Sequence, residues 1–186
     1  MRHWILFLVI ALFGAGIDLY SKTVVLDKVP FQEEIEIIPG YLSFGHIYNE
    51  GIVFGMFSDS KKIWLIVSIL AVPIIVGVFA SVKNPRWVYV VTMGLILAGT
   101  LGNLYDRAAY EKVRDFIKFT YDSKHVWPLF NLADSYICMG VLLLSVEMIF
   151  FDEKKKQKWK EKSRPDDTGT QNESRLVDSG RSDSPE

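Results

Sequence analysis

The chain has 186 residues, of which 49% are hydrophobic and 23% charged, with a formal net charge of −1. If the apolar residues were spread evenly, this length and a mean hydropathy of only +0.18 would indicate one ordinary domain. The apolar residues are concentrated in four runs instead, and the near-neutral charge gives no basis for a nucleic-acid partner. The composition therefore favours a membrane protein over a soluble or nucleic-acid-binding one.

Four apolar runs predict four transmembrane helices, because a helix needs about 20 mainly apolar residues to cross a hydrocarbon core of about 30 Å. The predicted helices cover residues 4–26, 63–82, 87–104 and 129–151. The first run could instead be a cleaved signal peptide, since Arg2 gives it a basic start and Ala15 and Gly16 are small. Apolar residues resume beyond Asp18 as far as Leu26 without a clear cleavage signal, which favours a membrane span.

Basic residues at the helix flanks predict the orientation of the chain in the membrane. Arg2 precedes the first run, Lys83 and Arg86 lie in the turn between the second and third, and a lysine cluster follows the fourth. We therefore expect both termini in the cytoplasm and residues 23–62 and 106–128 on the outer side, although basic residues in the second of these regions weaken the bias. Residues 152–186 are polar and predict a disordered cytoplasmic tail.

The first outer region is expected to be rich in β-structure over about residues 35–57. Alternating residues around 35–38 and the Pro39-Gly40 turn predict strands there. The same region contains Asn49 and Gly51 in an Asn-x-Gly sequence, which alone indicates only a turn.

Several common kinds of reactive site are missing from the sequence. Cys138 is the single cysteine, and His3, His46 and His125 lack the spacing of a zinc site. There is no Gly-x-Ser-x-Gly elbow and no phosphate-binding glycine loop. We therefore expect no metal and no cofactor, and any chemistry must come from carboxylates, amides and arginine.

Polar residues of these types occur near the outward ends of the first and third predicted helices. Asp18 and Lys22 are spaced i, i+4 on one helix face, where they could form a purely structural salt bridge. Asn103 and Arg107 have the same spacing, and the neighbouring Asp106 could act with Arg107 as a polar clamp at the helix end. Glycines in this stretch would let another backbone approach closely.

Two further acids stand on either side of the start of the last apolar run. Asp115 lies in Val113-Arg114-Asp115-Phe116, and Asp134 follows 134 − 115 = 19 positions later. Burying a carboxylate near the membrane costs several kcal/mol unless it has partners, so this placement argues for chemistry at a membrane face. Asp134 also has a structural interpretation, because Asn131 could cap the last helix with Asp134 as its third residue.

As a set, these stretches resemble the lipoprotein signal peptidases, also called signal peptidase II, which are aspartic proteases of bacterial membranes. The resemblance covers about residues 4–151. The matching residues are Asp18 and Lys22, Asn49, Gly51 and Phe54, Gly102, Asn103, Asp106 and Arg107, Val113, Asp115 and Phe116, and Phe130, Asn131, Ala133 and Asp134.

The resemblance implies that Asp115 and Asp134 form the catalytic pair. It also implies a prolipoprotein substrate whose lipobox cysteine carries a diacylglyceryl group, cut just before that cysteine, by a monomer with its active site at the outer face of the bacterial cell membrane among lipids. The residues that would bind substrate or support the site are Asn49, Gly51, Asn103, Arg107, Asn131, Asp18, Lys22 and Asp106.

Two positions depart from the family pattern, and other classes of function remain open. Val53 stands where a small residue is common and Arg114 where an aliphatic one is, and the long tail after Lys162 is not a family feature. Acids near membrane spans also mark proton relays, so a small proton- or ion-coupled transporter is the alternative. A non-catalytic membrane assembly protein is a third possibility.

Overall fold

A computed structural model of the chain describes residues 1–49, 61–121, 124–125 and 128–162. Each helix in this part of the chain contains a stretch long and apolar enough to cross a membrane, and a small antiparallel sheet accompanies them, which confirms the prediction of four transmembrane helices with a β-rich region. The helices are α1 (Arg2–Lys28), α2 (Lys61–Ser81), α3 (Trp87–Tyr110) and α4 (Leu132–Lys162).

Helix ends differ from the sequence prediction where local capping decides them. α3 continues past residue 104 to Tyr110 and ends where Glu111 takes a left-handed conformation and its N–H bonds the carbonyl oxygen of Arg107. α4 begins at Leu132 rather than 129 and continues to Lys162. The helix thus includes residues 152–162, where lysine and glutamate are good helix formers and extending a helix needs no new nucleus, and the disorder expected of the polar tail beyond them stays a prediction. Residues 163–186 lie outside the described part.

The chain divides into two compact units, Met1–Glu147 and Met148–Glu186. The core, the sheet and the polar network all lie in the first unit. In this unit α3 is the central helix, since half of its membrane-length apolar stretch is buried, compared with 11% of the corresponding stretch in α2 and in α4. The core contains stacked rings of Phe7 and Phe79 with centroids 4.0 Å apart, and Gly99 of α3 allows the backbone of Ala133 in α4 to approach closely.

An antiparallel sheet stands beside the helices at one end of the bundle. Its strands within the described residues are β1 (Glu34–Ile38), β2 (Leu42–Asn49), β3 (Val113–Tyr121) and β4 (Lys124–His125), in that spatial order. β1 and β2 occupy the first part of the predicted β-rich loop, whose residues 50–57 lie outside the described part. β3 was not predicted, although its Phe, Ile, Thr and Tyr residues favour strands.

The sheet is tied directly to the residue that precedes the cap of α4. The N–H of Ile117 donates to the carbonyl oxygen of Phe130 at 2.8 Å, and the N–H of Phe130 donates to that of Ile117 at 3.1 Å. In the sheet, Asp115 of β3 pairs with Ile47 of β2. These pairings hold Asp115 close to the first turn of α4, which carries Asp134.

Candidate active site

The polar stretches that the sequence analysis singled out in α1, α3, β3 and α4 meet at one end of the bundle. They come from the C-terminal parts of α1 and α3, the start of β3 and the first turn of α4. Asp18, Lys22 and Asp106 are fully buried, and Asp115 is only 2% exposed. A membrane protein keeps so many ionisable groups inside only when they are paired with one another or with other polar groups.

Asn131 connects the two acids that the sequence predicts to be catalytic. Its Nδ2 donates to Oδ1 of Asp115 at 2.7 Å, and its Oδ1 accepts the N–H of Asp134 at 3.0 Å. The N–H of Asn131 donates in return to Oδ2 of Asp134 at 3.2 Å. This reciprocal pair has the form of a capping box, so the structural interpretation of Asp134 as a helix-capping residue is present in the geometry.

Capping does not occupy the whole Asp134 carboxylate. Its other oxygen, Oδ1, accepts a hydrogen bond from Nδ2 of Asn103 at 2.8 Å. Nδ2 of Asn131 lies 3.2 Å from Oδ1 of Asn103, which closes the network between the two asparagines. Asp115 and Asp134, remote in sequence, are therefore joined through the same pair of amides.

The amide of Asn103 is oriented by Lys22. Nζ of Lys22 donates to Oδ1 of Asn103 at 3.2 Å. Because an ammonium group can only donate, the amide must turn its oxygen toward Lys22 and its nitrogen toward Asp134. The orientation of Asn103, and with it the donor that Asp134 receives, thus depends on the position of Lys22.

Lys22 belongs to a buried ion-pair network that joins three elements. Its Nζ lies 2.7 Å from Oδ2 of Asp18 and 3.1 Å from Oδ2 of Asp106. Oδ1 of Asp18 accepts the backbone N–H of Ala133 at 2.8 Å, so the network reaches the first turn of α4. Gly102 lies against the Asp18 carboxylate, where a side chain would have no room. The salt bridge that the i, i+4 spacing predicts is present, and it holds α1, α3 and α4 together.

Arg107 takes a different position from its helix neighbour Asn103. Nη1 of Arg107 donates to Oγ of Ser68 in α2 at 3.1 Å. The charges of Asp134 and Asp115 also act on this guanidinium group. Arg107 therefore anchors α2 to the site and supplies positive charge near the acids, whereas Asn103 bonds one of them directly.

Asp134 lies at the edge of an apolar cavity of about 650 Å³ between the sheet and α4. Aromatic and aliphatic side chains dominate its walls, as is usual for small-molecule and peptide sites. The lining residues are Leu42, Phe44, Ile117, Phe119, Phe130, Asp134, Ser135, Cys138, Met139 and Leu142. The half-buried Asp134 thus adjoins a space that can receive apolar groups.

Two contacts of the site have partners that the sequence analysis did not identify. Ser68 of α2 contacts Arg107, which lies 39 positions later in the sequence, and nothing in the local pattern around Ser68 predicts this contact. Arg114, noted only as a departure from the family pattern, is bound to Asp106 at 2.7 Å. Asn49 pairs through its backbone with Val113, while Gly51 lies outside the described residues. Among the side chains that the structure describes, no three candidate ligands form a metal site.

Four membrane-length helices define a polytopic membrane protein. At one end of the bundle, two carboxylates joined by hydrogen bonds to asparagine side chains are groups of the kind needed for acid–base hydrolysis. Comparison with known proteins identifies the family. The model for "Signal peptidase (SPase) II" matches residues 10–150. The chain therefore belongs to the signal peptidase II family: it is itself a bacterial multi-pass membrane protein, and it is an aspartic endopeptidase.

Individual relatives agree with this assignment. A protein of Bartonella tribocorum named lipoprotein signal peptidase is 35% identical over 150 residues, covering 79% of this chain and 89% of the relative. One of the same name from Clostridium tetani is 31% identical over 143 residues, covering 76% and 91%. A bacterial membrane enzyme solved by the in meso method superposes with a TM-score of 0.72 at 28% identity, covering 80% of this chain and 90% of that one. Nothing in these comparisons favours the transporter alternative.

Proposed function

We propose that this peptidase removes signal peptides from diacylglyceryl-modified prolipoproteins by cutting just before the lipidated cysteine, with Asp115 and Asp134 as its reacting acids. The observation that carries the proposal is the bond from Asn131 to Asp115 together with its reciprocal bonds to Asp134. This network links the carboxyl group of Asp115 to Asp134, which lines the apolar cavity. Relatives named lipoprotein signal peptidase support the choice of substrate.

The proposed mechanism uses one ionised and one protonated aspartate, because two neighbouring carboxyl groups resist simultaneous ionisation. The ionised aspartate accepts a proton from water as the water oxygen attacks the scissile carbonyl carbon. The protonated aspartate donates a hydrogen bond to the carbonyl oxygen and later passes a proton to the leaving amine. Asn131 and Asn103 fix the carboxylate orientations during these steps, because each donates to one acid.

The remaining predicted residues support the acids or the substrate. Asp18, Lys22 and Asp106 hold the helix ends in place without taking part in proton transfer, as their complete burial suggests. Arg107 contributes positive charge near the peptide. We assign contacts with the extended substrate backbone to Asn49 and Gly51.

The cavity supplies the apolar part of substrate recognition. Its volume of about 650 Å³ and its mainly apolar walls suit the hydrophobic side chains or acyl groups that flank the cut bond. Asp134 at its edge then places the bond where the acids can reach it. The positive flanks of the helices favour cytoplasmic termini and an outward site that water can enter, in a protein that acts as a monomer among membrane lipids.

The test compares one precursor with and without its diacylglyceryl group. The purified protein in detergent should release a signal peptide from the lipid-modified precursor and leave a product that begins with the lipidated cysteine, as measured by mass spectrometry. The unmodified precursor should be cut far more slowly. Equal cleavage of both forms, or cleavage at another bond, would contradict the proposed substrate. Ion flux in proteoliposomes without cleavage would instead support a transporter.

A further inference from the structure

Arg114 precedes Asp115 in β3 and is buried against α3. The residue is only 7% exposed, and its Nε and Nη2 lie 3.0 and 2.7 Å from Oδ1 of Asp106. Its backbone N–H donates to Oδ2 of the same carboxylate at 3.0 Å. The guanidinium carbon also stands 4.6 Å from the centre of the Tyr110 ring. These contacts fix the segment immediately before Asp115 to the end of α3.

The same carboxylate connects Arg114 to Asp134. Asp106 shares its Oδ2 with Lys22 at 3.1 Å, and Lys22 also holds Oδ1 of Asn103. Asn103 in turn donates to Asp134. Arg114 therefore reaches Asp115 through the backbone and Asp134 through a continuous chain of short polar contacts.

Among the described side chains of this polar network, the formal charges balance when Arg114 is counted. Asp18 and Asp106 carry two negative charges, and an acid pair that shares one proton carries a third. Lys22, Arg107 and Arg114 supply three positive charges. Removing the charge of Arg114 would leave this largely buried cluster with one uncompensated negative charge, a state that favours uptake of a second proton.

We propose that Arg114 is a positioning residue for the acid pair, which it orients through Asp106 and keeps in the singly protonated state by balancing the charge of the buried cluster. The inference rests on the proposed function of Asp115 and Asp134. It assigns a role in the reaction to a side chain whose described hydrogen bonds are to Asp106.

The ionisable groups near Arg114 determine which titrations could contribute to the pH profile of the reaction. Among the described side chains, Asp106 and Tyr110 on α3 and Asp18 on α1 act electrostatically on Arg114, Lys22 on α1 shares Asp106 with it, and Asp115 follows it on its own strand. Farther along the network, Arg107 on α3 interacts with Asp134 on α4. Burial lowers the pKa of Arg114, but its hydrogen bond to Asp106 and the Asp106 charge raise it, and the net direction is upward. Arg114 therefore stays protonated throughout an ordinary assay, and its own titration cannot mimic the effect.

Three variants test the proposal. Arg114→Gln removes the charge but keeps a hydrogen-bond donor, and Arg114→Lys keeps the charge. As the control, Arg86→Gln removes an exposed arginine outside the site, whose Nη1 lies 3.5 Å from Oε1 of Glu147. The assay measures kcat and KM for the lipid-modified precursor across pH, with thermal unfolding in detergent as the check on folding.

Arg114→Gln should lower kcat about tenfold with KM changed less than about threefold, because misplaced reacting groups slow the chemical step. Its bell-shaped profile should move to higher pH by roughly half a unit, since the added net negative charge opposes ionisation of the acids. Arg114→Lys should recover much of the rate and keep the wild-type profile, and Arg86→Gln should match wild type.

A folded Arg114→Gln protein with wild-type kcat and profile would overturn the inference. If this variant does not fold, Arg114→Lys decides: an unshifted profile supports the charge balance, and a shifted one overturns it. An Asp115→Asn control separates the two proposals. Full activity of Asp115→Asn would refute the proposed function itself. If Asp115→Asn is inactive but Arg114→Gln behaves like wild type, only the role of Arg114 is refuted.

Discussion

Replacing Asn131 with alanine should damage both the acid pair and the start of α4. The side chain is fully buried and makes three hydrogen bonds, one to the Asp115 carboxylate, one to Asn103 and one as the helix cap of Asp134. A bond to a charged group contributes about 1.5–3 kcal/mol, a neutral one about 1 kcal/mol, and a helix cap about 1 kcal/mol. Because such contributions overlap, we expect a loss of about 3 kcal/mol in the free energy of unfolding.

The effect on catalysis should exceed the effect on folding. Without the Nδ2 donor, Asp115 loses the bond that holds it toward Asp134, and a displacement of about 1 Å can cost about a hundredfold in rate. We therefore expect kcat to fall at least a hundredfold in the fraction of Asn131→Ala that remains folded, measured at a temperature below its unfolding midpoint.

Two variants make the assay specific. Asn131→Asp keeps the shape and the helix cap but, when ionised, cannot donate to Asp115 and faces it as a like charge, so it should be as inactive as alanine and no better folded. Asn84→Ala changes an exposed asparagine in the turn between α2 and α3 and should behave as wild type. If Asn131→Ala cleaved the lipid-modified precursor within threefold of the wild-type rate, the argument that Asn131 aligns the acids would be wrong.

Two further changes test the support of the site through the unfolding temperature in detergent. Gly102→Ala should lower it, because the added Cβ would meet the Asp18 carboxylate, whereas Gly16→Ala, whose Cβ meets nothing within 4 Å, should not. Equal unfolding temperatures for the two would contradict the close contact. Lys22→Met should cost about 3–5 kcal/mol, because it leaves Asp18 and Asp106 buried without their shared cation. A Lys22→Met protein as stable as wild type would show that the network is not needed for folding.

Membrane helices were predictable because the bilayer imposes a length and a composition that a sequence displays directly. The i, i+4 spacing of Asp18 and Lys22 likewise predicted their ion pair, since both residues belong to one helix. The helix cap at Asn131 was also readable, because its partner Asp134 is three positions away. In each case the signal and the contact are local.

Contacts between elements were not predictable in this way. Nothing in the spacing indicated that Asn131 would bond Asp115 or that Ala133 would bond Asp18 through its backbone. β3 was missed because its charged residues Arg114 and Asp115 interrupt the apolar pattern, and the structure shows that both point into polar partners inside the protein. The residues of the site were therefore identified by family resemblance, whereas their geometry required the fold.

The most direct measurement is the rate at which Asp115→Asn and Asp134→Asn cleave a lipid-modified precursor, beside Asp27→Asn, which alters an exposed aspartate near the end of α1. Each of the first two substitutions removes a proposed proton-transfer group, so kcat should fall by about a thousandfold or more in a folded protein. Asp27→Asn should keep the wild-type rate. Near-wild-type cleavage by either Asp115→Asn or Asp134→Asn would contradict the claim that these two acids act as a pair.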